Sequence, residues 1–192
     1  MQSFAQRWLR HSLLAVAATA MLAGCAEDSP TAPVAELETA GTGTEQPAVD
    51  LGECDKLRPP AGSTLVFHVY ARGVQIYRWD GASWTLVGPS AQLFADANGR
   101  AVVGTHYTGP TWKSTSGSTV VGAVIDRCTP NPDAVQWLLL GAVKNEGPGV
   151  FQGVTHIQRV NTVGGKAPAE AGTFGQVREI PYTAEYFFYR AP

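Results

Sequence analysis

From Ser63 onward, short runs of β-branched and aromatic residues alternate with glycine and proline, a rhythm that predicts strands. Thr64 to Ala71 places Leu65, Phe67 and Val69 on one face. Gly73 then separates that run from Val74 to Trp79, a spacing that suits a hairpin or a bulged corner. Asp80-Gly81 marks a turn, after which Trp84 to Val87 is expected to pair with the strand before it. Further strands are expected at Ala91 to Ala95, Ala101 to Tyr107, Thr119 to Asp126, Val135 to Val143, Gly149 to Asn161 and Thr183 to Arg190. Past residue 60 there is no long apolar stretch of period 3.6 with caps. The expectation is an all-β fold, an antiparallel β-sandwich or closed β-barrel of about nine or ten strands. Trp137-Leu138-Leu139-Leu140 is apolar on both faces, which predicts a central strand covered on each side; Tyr186-Phe187-Phe188-Tyr189 reads the same way at the end of the chain.

The first 53 residues follow other rules. Arg7, Arg10 and His11 precede an apolar run, Leu13 to Leu22, which is too short to span a bilayer, where roughly 20 residues are needed. Small residues and a cysteine close it at Leu22-Ala23-Gly24-Cys25, an ending that resembles the lipobox of bacterial lipoproteins. The reading is a lipoprotein signal peptide over 1–24, with Cys25 acylated, palmitate among its chains, and the mature protein held to a lipid bilayer without crossing it. Ala26 after the cysteine favours the outer membrane or cell surface over the inner membrane. Residues 25–53 lack aromatics and any sustained apolar period, and read as a flexible acidic tether. Residues 54–192 are left as a single β domain.

Charge and cysteine use agree with export. From Cys54 onward there are twelve basic and nine acidic residues, a net charge of about +3 that is too small and too scattered for nucleic acid. Cys54 and Cys128 make an even pair in an exported chain, so one disulfide between them is expected. Neither has a spaced cysteine or histidine partner of the kind that a metal site uses.

Candidate chemistry concentrates around Val154 to Pro168, where a strand pattern runs into Gly164-Gly165. Gln158, Arg159 and Asn161 there, with His106, Tyr107 and Trp112, supply stacking faces and fork-shaped donors suited to a saccharide or another small polar ligand. Alternation puts Gln158 on the face opposite Arg159, so the two share a cleft only if the strand bends. Two functions follow: an anchored envelope protein that binds a ligand or cell-surface component, or a secreted hydrolase-like enzyme of unassigned class using His106 and Arg159. His68, His106 and His156 have no spacing that gathers them on a metal, and no cofactor is expected. No Gly-x-Ser-x-Gly elbow accompanies Ser116, whose Ser-Gly-Ser setting reads as a turn.

Five segments in order carry a family resemblance: Gly73-Val74-Gln75-Ile76-Tyr77; Thr105-His106-Tyr107-Thr108-Gly109-Pro110-Thr111-Trp112; Trp137-Leu138-Leu139-Leu140; Ile157 to Pro168; and Pro181-Tyr182-Thr183-Ala184-Glu185-Tyr186. The stretch from about Leu57 to Tyr189 resembles the domain of unknown function 3455 family, mostly secreted bacterial and fungal proteins with no established activity. The resemblance implies a cysteine shortly after Gly-Gly-Lys-Ala-Pro, where this chain has Ala171-Gly172. Some relatives carry a dehydrogenase label, but no strand here leads into Gly-x-Gly-x-x-Gly and a helix.

Overall fold

The computed structural model describes residues 49–192. The expected signal peptide, Cys25 and nearly all of the tether lie outside the described residues.

Alternating runs of this kind bury one face of each strand, and here they do so by closing a sheet on itself. The strands are β1 (Thr64–Trp79), β2 (Trp84–Phe94), β3 (Val102–Tyr107), β4 (Thr111–Ser114), β5 (Thr119–Cys128), β6 (Trp137–Glu146), β7 (His156–Gly164) and β8 (Val177–Arg190). Each pairs antiparallel with the next, and β8 pairs back onto β1 from Thr64↔Arg190 to Arg78↔Val177. Closure selects the barrel over the sandwich. Eight strands enclose just enough room for packed side chains or one small ligand.

Two expected breaks are absent. Thr64 to Ala71 and Val74 to Trp79 belong to one strand, because Gly73 marks a close approach of two backbones, not a corner. A Cβ there would lie 2.1 Å from the Ser90 carbonyl oxygen and 2.5 Å from Ala91 Cα. Trp84 to Val87 and Ala91 to Ala95 likewise merge into β2, with a register shift opposite Ile76/Tyr77 absorbing the irregularity. The strand expected from Gly149 starts only at His156, since Gly149 to Gly153 forms turns that tuck Phe151 into the core. β4 has no counterpart among the expected strands. With four residues it is too short for alternation to announce it.

Burial on both sheet faces explains the doubly apolar strands. Leu140, Ile157, Tyr186 and Phe188 join the interior cluster, whereas Leu139, Val160 and Phe187 face a second cluster outside the barrel. That outer cluster is covered by a 3-10 turn, Gly52–Leu57, through Leu51, Cys54 and Leu57. The packed body therefore takes in Leu51, upstream of the expected domain boundary. The Cys54–Cys128 disulfide fixes the turn to the end of β5, with Cα atoms 5.8 Å apart.

Candidate functional site

The barrel interior is apolar around Phe67, Phe151 and Phe188, whose rings meet at centroid distances of 4.8–6.0 Å. Trp112 touches Phe188 at 5.9 Å and, on its other side, stacks on His106 at 4.3 Å with 8° between the planes. His106 on β3 and Trp112 on β4 are register partners, so cross-strand pairing itself imposes this stack. Beyond them the interior turns polar.

His106 is 2% exposed, and its Nδ1–H donates to the Thr111 carbonyl at 2.9 Å. A carbonyl can only accept, so the tautomer is fixed and Nε2 keeps its lone pair. Burial pushes the imidazole pKa down to about 3, and the Arg159 cation adds to the effect. The ring is therefore neutral at physiological pH, an acceptor and stacking face with no proton to give up at Nε2.

Arg159 enters from β7 and is held by two donations to the Gln136 carbonyl, from Nε at 3.0 Å and Nη2 at 2.8 Å. Burial raises the phenol pKa of Tyr77, Tyr182 and Tyr186, while the Arg159 cation works against burial at all three. All three stay protonated and can donate. Tyr77 gives its hydrogen to the Gly165 carbonyl at 2.7 Å. Gly165 has φ of 77°, and a Cβ there would sit 2.7 Å from Tyr182 Cβ and 3.0 Å from Gln75 Cγ, which is why this wall requires glycine.

Trp112 Nε1, Gln75 Nε2 and the hydroxyls of Tyr182 and Tyr186 are buried without a hydrogen-bond partner. The Tyr182 phenol lies beside both Tyr186 and Gln75, and the Tyr186 phenol beside Arg159, near enough to influence ionisation, yet each geometry falls short of a formed hydrogen bond. Gln75, Trp112 and Tyr186 line a cavity of about 340 Å3 together with His106 and Arg159. Leu86, Val87 and Val124, all partly exposed, form an apolar rim, with Arg127 also in the wall.

Of the six residues singled out from sequence, the structure brings His106, Trp112 and Arg159 to this cavity. Tyr107 is exposed on the outer face of β3. Gln158 faces outward, opposite Arg159, where its Nε2 donates to the Leu57 carbonyl at 2.6 Å and its Oε1 accepts from the Tyr189 hydroxyl at 2.6 Å. It ties the 3-10 turn to the barrel. Asn161 donates from Nδ2 to Glu185 Oε1 at 3.0 Å and has φ of 49°, at the irregularity between Val160 and Val163. A left-handed backbone is tolerable for asparagine and glycine but not for alanine. Asn161→Ala should therefore cost about 1–2 kcal/mol in urea unfolding and Asn161→Gly well under that, neither altering ligand affinity.

The other histidines have separate settings. His68 bonds to Glu185 Oε2 at 2.8 Å and stacks on Phe187, and His156 lies 3.0 Å from the Thr155 hydroxyl. Among the described residues, no three metal-ligating side chains gather. Ser116 is 2.8 Å from the Ser114 hydroxyl in the turn between β4 and β5.

Gln75, Tyr186 and Gln136 were not among the sequence candidates. Gln75 had a signal, being polar in phase with the inward-facing Val69, Ala71 and Tyr77. A lone amide on an apolar phase must either find a partner or present itself to a ligand.

The model of one protein family, described as a protein of unknown function (DUF3455), matches residues 60–190. No curated protein and no solved structure matches the chain.

Proposed function

Since the chain belongs to the domain of unknown function 3455 family, whose description assigns no activity, the interior cavity must supply the reading, and we propose that the barrel is a binding module for a small, partly apolar ligand. One observation carries it: Gln75, Trp112 and Tyr186 bury donors without acceptors against one cavity. A buried polar group left without a partner costs about 1–3 kcal/mol. A ligand acceptor recovers that cost, which makes the free barrel less stable than its packing allows and the occupied one more so.

The same proposal places the module in the cell envelope, displayed from a membrane by acylated Cys25 on an acidic tether. Leu22-Ala23-Gly24-Cys25 and the uncharged apolar run before it support this anchoring. Metabolic labelling with palmitate should mark the wild-type chain and leave Cys25→Ser unlabelled; equal labelling of both removes the anchor.

Gln75→Met tests the binding role. The substitution keeps the side-chain length while removing the buried amide, so it should raise the stability of the free protein by about 1 kcal/mol. Affinity for compounds found by thermal shift, from a panel of monosaccharides, amino acids and organic acids with their amides, should fall by about tenfold. A less stable variant with unchanged affinity would assign Gln75 to the scaffold and defeat the binding reading.

A further inference from the structure

The cavity has a sign. Arg159 and Arg127 are in its wall, and none of its lining residues is an aspartate or glutamate. The acid nearest in sequence, Asp126, is engaged elsewhere, 2.9 Å from Lys56 Nζ and 2.7 Å from the Arg127 backbone nitrogen. No ion pair involves Arg159 among the described residues; its hydrogen bonds go to the Gln136 carbonyl, which carries no formal charge, and the neutral Tyr186 phenol lies beside it.

We infer that the ligand is a small organic carboxylate with an apolar body, its head group meeting Arg159 and its body lying against Leu138 and Leu140. This rests on the reading of the cavity as a binding site. A carboxylate offers about four acceptor positions on two oxygens, a match for the Nη1 edge of Arg159 and the unpartnered donors of Gln75, Trp112 and Tyr186. Gln136 already takes Nε and one Nη2 hydrogen, so the guanidinium presents an end, not its full fork. That suits a single monoanionic head better than a phosphate, whose higher charge calls for several cations or backbone donors. The rest of the wall, with Leu138, Leu140, Pro89 and Pro110, is apolar. At about 340 Å3 the space is at the lower end of the range of ligand pockets, roughly 300–1,000 Å3.

The test compares matched acids and amides by calorimetric titration of the whole protein: benzoate against benzamide, cyclohexanecarboxylate against cyclohexanecarboxamide, and inorganic phosphate. The acids should bind about ten- to a hundredfold more tightly than their amides. Arg159→Gln should bring the ratio close to one by weakening the acid far more than the amide, and Arg159→Lys should keep part of the preference. Should Arg159→Gln fail to fold, the ratio in wild type and in Arg127→Gln still decides. Equal affinities for acid and amide overturn the carboxylate assignment and leave the binding module standing. Phosphate binding more tightly than either acid overturns it too. If neither acids nor amides bind, both readings fall.

Discussion

Serine in place of Cys128, or reduction of the native protein, should lower the stability of the folded body by about 4 kcal/mol in urea unfolding. The bridge spans 74 positions, and closing a loop of that length removes about that much entropy from the unfolded chain. The folded side adds its own loss. Cys54 is 1% exposed within the 3-10 turn that covers Leu139, Val160 and Phe187 outside the barrel. Without the bridge that turn is held by the packing of Leu51 and Leu57, the Gln158 bond to the Leu57 carbonyl and the exposed Lys56–Asp126 ion pair. Paired unfolding curves with and without reductant measure the effect, and Cys54→Ser with Cys128→Ser should reproduce the reduced curve. A change below about 1 kcal/mol would mean that packing holds the turn unaided and the crosslink contributes little.

Acidification should destabilise the barrel well before its carboxylates protonate. His106 titrates near 6.5 when unfolded, but its pKa is pushed down to about 3 in the fold. Between those values the unfolded chain binds a proton that the folded ring refuses, so stability is full above pH 6.5 and declines as pH falls toward 3. The decline approaches about 1.4 kcal/mol per pH unit, or about 3 kcal/mol between pH 6.5 and 4. Besides the stacked Trp112 indole, three groups face the ring: the Thr111 carbonyl, which favours the protonated form, Arg159, which opposes it, and the protonated Tyr186 phenol at 5.1 Å between ring centroids. Asp126 and Glu146 have carboxyls held below their usual range by Lys56 and Lys144, so their stabilising contributions are lost only at the acid end of this window and below it. Unfolding free energies of wild type and His106→Gln across pH 4–8 isolate the imidazole. The wild-type curve should slope and the variant's should be flatter by the stated amount; parallel curves would show that the ring accepts its proton without unfolding.

Much of the fold was legible because local chemistry and global packing agree. Asp80 Oδ1 accepts from the backbone N–H groups of Ala82 and Ser83, both at 2.8 Å, so Asp80-Gly81 makes the turn its composition announces. Trp137 to Leu140 reads as a strand covered on both faces because the 3-10 turn supplies the second cover. Closure was not legible. It depends on β1 meeting β8, a pairing between the two ends of the described body that no local window contains. Gly73 misled for a related reason, since its meaning is set by Ser90 and Ala91 across the sheet.

The candidate cavity was half visible. His106, Trp112 and Arg159 stand out by residue type, yet only register places the first two face to face and only strand phase separates Arg159 from Gln158. Gln75 and Tyr186 look like ordinary strand residues until the neighbours that leave them without partners are known.

A ring of strands with no first or last member also determines how copies of this protein behave toward one another. Open sheets offer unpaired backbone amides and carbonyls along their borders, a template on which fibrils and runaway oligomers grow. Here β1 and β8 consume each other's hydrogen bonds along nearly their whole length. Along that seam neither strand keeps a bare margin on which a neighbouring copy could add a strand of its own.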